Sequence, residues 1–239
     1  MVRYERTGAA ALVTIDRRER CNAVDGETAA ALLEAYERFA ADDGAHVMVL
    51  TGAGGEAFCA GADLKALETL DPDASAGPMG FTRLTPAKPA IAAIEGWCVA
   101  GGLELALWCD LRIASDSARF GCLERRWGVP LIDGGTQRLP RVVGLGRALD
   151  LILTGREVDA AEALAIGLVN ELVADPPARG LELAEAIAAF PQDTMLSDRE
   201  AAHAALGLPI GDGLALEARL GRDRIATALE GAQRFRVRP

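Results

Sequence analysis

Two short segments place glycine and other small residues where backbone N–H groups could bind a negatively charged oxygen. They are Ala60-Gly61-Ala62-Asp63-Leu64-Lys65 and Val99-Ala100-Gly101-Gly102-Leu103-Glu104. Small residues let a ligand approach the main chain, and N–H groups aimed at one point stabilise an oxyanion. In the second segment the glycines open an apolar run typical of a helix, whose first N–H groups have no partner within the helix. An ordinary tight turn is the simpler interpretation of the first segment taken alone.

Glu104 is the residue of the second segment that could act as an acid or a base. Its neighbours three and four places away are glycine, alanine, leucine and tryptophan, so its own helix offers no cation. Such a carboxylate either keeps a raised pKa, as catalytic groups do, or pairs with a distant arginine such as Arg112. Both interpretations are open at this point. The spacing also puts Glu104 on the helical face of Gly101, so a donor and an acid could face one reacting centre.

A second carboxylate, Glu124, follows an apolar segment and directly precedes Arg125 and Arg126. Taken alone, this pattern favours a salt-bridged loop residue over a catalytic one.

The elements that would position these residues alternate between strands and helices. Predicted strands cover residues 11–15, 47–51, 89–94, 111–114 and 168–173, and predicted helices cover about 26–41, 101–109, 148–154, 160–166 and 181–190. Apolar, β-branched runs indicate the strands, and helical spacing of apolar residues indicates the helices. Uncharged strands that alternate with helices predict an α/β core with helices covering the sheets.

Composition excludes several classes of protein. The net charge of −10 over 239 residues argues against a general nucleic-acid binder. No apolar run reaches the roughly 20 residues of a membrane helix, and the start of the chain has no signal-peptide pattern. Two histidines without ligand spacing predict no metal site. Five cysteines without a CxxC pair predict free thiols in a reducing cytoplasm.

Six segments together resemble the crotonase (enoyl-CoA hydratase/isomerase) superfamily over nearly the whole chain. They lie in the family's order and at similar spacing, which makes the joint match specific. In addition to the segment 60–65, they are Asp16 to Ala23, Gly101 to Ala106, Asp110 to Ala114, Gly134 to Pro140 and Glu230 to Phe235.

The resemblance implies an α/β fold that is a right-handed spiral of ββα units, with helices at the C-terminal end. It implies that the N–H groups of Ala62 and Gly101 bind the thioester oxygen and that Glu104 and Glu124 are the two catalytic glutamates. The expected reaction is syn addition of water to a trans-2-enoyl-CoA in fatty-acid and lipid metabolism. Coenzyme A belongs to the substrate, and no metal or redox cofactor is expected.

For the coenzyme A moiety, the resemblance implies contacts along the first segment, with Lys65 near the nucleotide. The expected binding residues are Arg18, Arg20, Ala60, Ala62, Asp63, Leu64, Lys65 and Gly101. Arg18, Arg20 and Lys65 are expected to meet the phosphates although the chain as a whole is acidic. The segment 66–86 is expected to determine the acyl-chain length.

One position departs from the family pattern. Ile132 stands where hydratases carry a glycine near the site of the attacking water, and Asp133 adds a third acid nearby. A double-bond isomerase, another enolate chemistry or a catalytically silent acyl-CoA-binding protein therefore remain alternatives.

The organisation predicted from the sequence has two parts. Residues 1–175 form the spiral core, and residues 176–239 form a helical region that assembles a homotrimer or a dimer of trimers. The segment Ala174-Asp175-Pro176-Pro177 marks the boundary.

Overall fold

The computed structural model describes residues 1–237, which contain ten strands and nine α-helices. The strands are Val2–Thr7 (β1), Ala10–Ile15 (β2), Val47–Gly52 (β3), Ala57–Cys59 (β4), Ala90–Ile94 (β5), Trp97–Val99 (β6), Leu111–Ala114 (β7), Arg119–Gly121 (β8), Val158–Asp159 (β9) and Glu171–Leu172 (β10). The helices are Gly26–Ala41 (α1), Gly101–Trp108 (α2), Gly135–Val143 (α3), Leu145–Thr154 (α4), Ala160–Ala165 (α5), Pro176–Ala188 (α6), Gln192–Ala205 (α7), Ile210–Arg222 (α8) and Ile225–Arg236 (α9).

From β3 to β8, successive strands alternate between two sheets. The larger sheet has the order β1-β2-β3-β5-β7-β10, and the smaller has the order β4-β6-β8-β9. Thus β3, β5 and β7 in the larger sheet are each followed by a partner, β4, β6 or β8, in the smaller one. Neighbours within each of these two sets are parallel. Helix α2 follows the second pair and α3 comes after the third, which confirms the predicted α/β architecture of ββα units.

The core lies between the sheets and the helices that cover them. Every residue of β3 and of β5 is buried, as expected for central parallel strands covered on both faces. Helix α1 begins at the cap residue Asp25, whose carboxylate accepts the N–H of Thr28 at 2.9 Å. Seven of the eight residues of α2 are buried. A helix that is apolar all round belongs in the interior, so the acid it carries, Glu104, is held there as well.

The predicted strand over residues 168–173 is wrong in its first half. The N–H groups of Leu168 and Val169 donate to the carbonyl of Ala163, at 2.8 and 3.3 Å, and so close a turn after α5. Within the predicted stretch 168–173, only Glu171–Leu172 pair as a strand, with β7. The predicted helix over 181–190 instead begins at Pro176 and ends at Ala188.

The chain divides into two compact units, residues 1–185 and residues 186 onward. The second unit consists of α7, α8 and α9 after the last residues of α6, and Thr227 of α9 donates to the carboxylate of Asp193 at 2.5 Å. Across the described part of these three helices, only Ser197 is buried. The predicted region 176–239 includes this unit, and its last two residues lie outside the described residues.

None of the helices within residues 1–237 has both the length and the apolar character that a membrane span requires.

Candidate active site

Three neighbouring parallel strands of the smaller sheet bring the candidate residues to one edge. Ala62 follows β4, Gly101 and Glu104 follow β6, and Glu124 follows β8. Because the carboxyl ends of parallel strands meet at the same edge of a sheet, the residues after them converge. They line a single cavity of about 630 Å³, together with Asp133 and mainly apolar side chains.

The first N–H donor is that of Ala62. The N–H of Val24 donates to the carbonyl of Gly61, and the N–H of Asp63 donates to the carbonyl of Val24, both at 2.8 Å. These bonds fix the residues on either side of Ala62 against the chain before α1. The N–H of Ala62 itself has no acceptor among the residues that the structure describes. It is therefore available to a ligand oxygen in the cavity.

The second donor is the N–H of Gly101, the first residue of α2. At this position an N–H group has no carbonyl acceptor within its own helix. Ala100 before it has φ 52° and ψ −129°, a conformation that is unfavourable for a residue with a side chain. Its N–H donates to the carbonyl of Gly121 at 3.0 Å, which holds it in place. Strained backbone of this kind is frequent at functional sites, where it orients a neighbouring group.

Gly61 lets the two donor segments pack directly on each other. It has φ +91°, and a Cβ atom at this position would lie 2.9 Å from the Cβ of Ala100 and 2.9 Å from the nitrogen of Gly101. Any larger residue would separate the segments. The first segment therefore packs directly against the second donor, and its residue Ala62 pairs with Val24 as an isolated parallel bridge.

Glu104 is 3% exposed and is held by backbone groups. Its Oε1 accepts the N–H of Asp133 at 2.9 Å and that of Gly135 at 2.7 Å. The distant ion pair considered above does not form, because Arg112 donates to the carbonyls of Leu168 and Cys109. Burial raises the pKa of Glu104 to about 8, and the carboxylates of Asp133 and Glu124 add to the rise, against the effect of the two N–H donors. The alternative of a raised pKa is the one that the structure supports.

Glu124 lies in the 3₁₀ turn Leu123–Trp127, and its side chain is 4% exposed. Its Oε1 is 3.4 Å from Nε of Arg125, so the salt bridge suggested by the sequence exists, but it is long. Its Oε2 is buried and has no hydrogen-bond partner in the described chain. Burial raises the pKa of Glu124, and Arg125 partly opposes this. A buried oxygen without a donor is costly unless a ligand or water supplies one.

The third acid, Asp133, also lines the cavity and is 3% exposed. Its Oδ1 accepts the N–H of Met79 at 3.0 Å and the hydroxyl of Thr82. Burial raises its pKa. The neighbouring Ile132 lines the same cavity and is 38% exposed.

The residues expected to bind coenzyme A divide into two groups. Ala60, Ala62, Leu64 and Gly101 line the large cavity. The others do not appear in its lining. Asp63 is turned toward Arg17, Lys65 and Arg20 are exposed, and Arg18 lines a smaller cavity of about 210 Å³ beside Cys21 and Gly54. Arg18 also donates to Asp16 at 3.0 Å.

Arg17 is a structural residue whose role the sequence does not reveal. Its Nη2 lies 2.8 Å from the carboxylate of Asp25 and 3.1 Å from that of Asp63. It thereby ties the cap of α1 to the first donor segment. The signal in the sequence was weak, because two further arginines follow within three residues and all three look like solvated surface.

Comparisons with known proteins agree with this geometry. The family model for enoyl-CoA hydratase/isomerase matches residues 5–237. The chain is 40% identical over 196 residues to enoyl-CoA hydratase EchA19 of Mycobacterium tuberculosis, covering 77% of this chain and 73% of the relative. It is 42% identical over 176 residues to the short-chain-enoyl-CoA hydratase of Clostridium acetobutylicum, covering 71% and 67%. The crystal structure of enoyl-CoA hydratase EchA1 from Mycobacterium marinum superposes with a TM-score of 0.92 at 35% identity, covering 98% of this chain and 94% of that one. The chain therefore belongs to the enoyl-CoA hydratase/isomerase family.

Proposed function

We propose that this chain is an enoyl-CoA hydratase that adds water to a trans-2-enoyl-CoA and forms a 3-hydroxyacyl-CoA. One observation carries the proposal. Two N–H groups without an acceptor in the described chain and two buried glutamates with raised pKa values line the same cavity. This set of groups is what conjugate addition of water to a thioester requires. The two relatives described above, from Mycobacterium tuberculosis and Clostridium acetobutylicum, are both named as enoyl-CoA hydratases.

In the proposed reaction, the thioester oxygen accepts hydrogen bonds from Ala62 and Gly101. This draws electron density from the double bond and makes the β-carbon electrophilic. Glu104 takes a proton from water while the water oxygen bonds to the β-carbon, and the electron pair of the double bond moves into an enolate. The enolate then takes a proton at the α-carbon from Glu124. After one turnover Glu104 has gained a proton and Glu124 has lost one. Exchange of protons with the solvent restores both groups before the next turnover.

The raised pKa of Glu104 bears on which of the two glutamates is the base. With a pKa of about 8, Glu104 carries a proton over much of the neutral range, so as a base it must first lose that proton. The opposite assignment, with Glu104 as donor, uses the same groups. A coupled pair of acids titrates as a unit, so the direction of the pH dependence is the measurement that separates the two assignments.

The test uses Glu104→Gln and Glu124→Gln, with Glu68→Gln as the control because Glu68 is an exposed carboxylate on the segment after Lys65. Gln keeps the shape of Glu and can still accept the N–H groups of residues 133 and 135. We expect each active-site variant to lose several orders of magnitude in kcat while the control keeps full activity. The double variant should be little worse than either single one, because groups that act together are not additive.

Turnover in ¹⁸O-labelled water identifies the reaction. Hydration places the label on the β-carbon, whereas isomerisation shifts the double bond and incorporates none. A wild-type protein that binds enoyl-CoA but neither incorporates label nor moves the double bond would be a silent binding protein, and the proposal would be wrong.

We also propose that Arg18, Arg20 and Lys65 meet the phosphates of coenzyme A. The support is their exposure around the first donor segment. Reversing each charge to Glu should weaken coenzyme A binding, and the loss should shrink at high salt. Arg141→Glu, an exposed charge on α3, is the matched control. Equal affinity of all four variants at low salt would leave these residues as solvated surface.

A homotrimer or a dimer of trimers is proposed for the assembly. The support comes from apolar side chains that each unit exposes by itself. In α4, Leu145, Leu149 and Leu153 are 63%, 42% and 75% exposed and recur every fourth residue, and α8 and α9 expose Ile210 and Leu229. Such faces usually mark an interface. Light scattering should give a trimer or hexamer, and Leu153→Asp should lower the mass if α4 contributes. A monomer at micromolar concentration would refute the assembly.

A cytoplasmic location is proposed on the state of the cysteines. All five are free, and four of them are buried. Free buried thiols are typical of reducing compartments. Cell fractionation with a tagged chain tests this, and recovery from an oxidising compartment would contradict it.

A further inference from the structure

Asp133 links the acid Glu104 to the segment that contains Met79 and Thr82. Its backbone N–H donates to Oε1 of Glu104 at 2.9 Å. Its carboxylate reaches a different segment, where Oδ1 accepts the N–H of Met79 at 3.0 Å and the hydroxyl of Thr82. One residue therefore contacts a proposed catalytic group through its main chain and the segment of Met79 and Thr82 through its side chain.

Further contacts reinforce the same link. Arg138 donates to the carbonyl of Asp133 at 2.9 Å and to the carbonyl of Thr82 at 2.6 Å. Gly77 has φ +106°, and a Cβ there would lie 2.2 Å from the hydroxyl of Thr82 and 3.1 Å from Oδ1 of Asp133. The segment before Thr82 thus comes so close to Asp133 that glycine is required. The segments 77–82 and 133–138 are thus joined by several hydrogen bonds and by close backbone packing.

Met79 connects the segment 77–82 to the second oxyanion donor. It is 1% exposed and lines the cavity. A Cβ on Gly101 would lie 3.0 Å from both Sδ and Cε of Met79, so the thioether lies against that glycine. The hydrogen bond from the Met79 N–H to Asp133 therefore holds the main chain of a residue whose side chain borders the proposed position of the thioester.

The charge of Asp133 also acts on Glu104. The ionised groups that influence Glu104 are Asp133 and Glu124, while Arg138 interacts favourably with it from α3. Cys122, from the segment after β8, also lies near it and is a thiol whose pKa is raised to about 12. Asp133 is in turn influenced by Arg83 and Arg138.

We infer that Asp133 is a positioning residue, which joins the wall at Met79 and Thr82 to the turn that holds Glu104 and so sets acyl-group fit and the proton affinity of Glu104 together. This inference rests on the proposed hydratase function of the same site. It predicts that the hydrogen bonds and the charge of Asp133 have separable effects.

The experiment compares Asp133→Asn, Thr82→Val and Thr82→Ser. Asp133→Asn removes the charge and keeps an acceptor oxygen, Thr82→Val keeps the charge and removes one donor, and Thr82→Ser keeps both. For each we would measure kcat and KM with enoyl-CoAs of several chain lengths and the pH dependence of kcat/KM. Circular dichroism checks that each variant folds.

Asp133→Asn should move the pH midpoint that belongs to Glu104 to lower pH, because a neighbouring negative charge is gone. Thr82→Val removes a hydrogen bond that lowers the pKa of Asp133, so it should move that midpoint less than Asp133→Asn does. It should raise KM by about tenfold for the acyl chains that reach Met79, the loss expected for one hydrogen bond to a charged group. Thr82→Ser should restore the wild-type KM. If Asp133→Asn leaves the midpoint unchanged, or if Thr82→Val lowers kcat equally for every chain length, the inference is wrong.

A second readout does not depend on turnover. The carboxyl ¹³C resonance of Glu104, assigned with Glu104→Gln, can be titrated in the wild type and in Asp133→Asn. A shifted titration in a protein that does not hydrate enoyl-CoA would refute the proposed function and support the role of Asp133. An unshifted titration in an active hydratase would do the reverse.

Discussion

Replacing Glu104 by Gln should abolish activity and yet stabilise the fold at alkaline pH. The carboxyl group is 3% exposed, and burial is the main reason that its pKa rises from an ordinary 4.5 to about 8. The N–H groups of Asp133 and Gly135 that it accepts can also donate to the amide oxygen of Gln. The substitution therefore removes the charge while the backbone hydrogen bonds can persist.

The magnitude follows from the two pKa values. Below pH 4.5 the carboxyl group is protonated in both the folded and the unfolded protein, so it adds no pH dependence. Between 4.5 and 8 the unfolded chain loses its proton while the folded chain keeps it, and stability falls as pH rises. Above pH 8 the full cost applies, about 5 kcal/mol at about 1.4 kcal/mol for each tenfold change in proton affinity. This is a large part of the roughly 5–15 kcal/mol by which proteins are stable.

Urea unfolding at pH 5, 7 and 9 would test this, with protein concentration held constant because assembly also affects stability. The free energy of unfolding of Glu104→Gln minus that of the wild type should increase steadily from pH 5 to pH 9. Glu68→Gln should show no such increase, because its side chain is exposed. A difference for Glu104→Gln that stays constant with pH would mean that the carboxyl group ionises normally in the folded protein, and the argument from burial would fail.

Two further predictions concern catalysis. If Glu104 is the base, kcat/KM for hydration should rise about tenfold per pH unit up to a midpoint near 8, whereas a rate that falls through this range would make Glu104 the proton donor. Gly101→Pro removes the second oxyanion N–H at a helix position where proline is tolerated, and kcat should fall by about 10²–10³-fold. Gly101→Ala adds the same crowding against Met79 but keeps the N–H, so an equal loss in both variants would show that the N–H is not used.

The features that could be predicted from the sequence are those that depend on residues close together in the chain. The apolar run of α2 and the position of Glu104 one turn after Gly101 both follow from neighbouring residues, and both are found. The partners of Glu104 could not be predicted in this way. They are backbone N–H groups of residues 133 and 135, about 30 positions away, and a backbone donor leaves no mark on the type of residue that carries it. From the sequence, the only partner that could be suggested for Glu104 was a distant arginine, and this ion pair was one of two open interpretations beside a raised pKa.

The missed strands have a different cause. β4, β6 and β8 contain three residues each, which is too short for alternation of apolar and polar residues to be recognised. β1 was missed because its outward residues are charged, as its exposed Arg3 and Glu5 show. An edge strand of this composition resembles a loop in the sequence, although charge on an edge protects it from pairing with other chains.

These short strands explain why the chemistry can be assembled at all. One carboxyl edge carries the first donor after β4, the second donor and one acid after β6, and the other acid after β8. These groups follow three neighbouring strands of one parallel ladder, so the spacing between the three attachment points follows from the spacing of strands, about 4.8 Å between neighbours. The segments after β4 and β6 also contact each other at Gly61, so a larger residue at this position would disturb both donors. Asp133 adds a contact outside the ladder, since it joins the acid on α2 to residues 79–82, which lie in no strand. Its loss should therefore act directly on acyl-group fit and on the proton affinity of Glu104, and it should reach the second oxyanion donor only through Met79, which lies against Gly101.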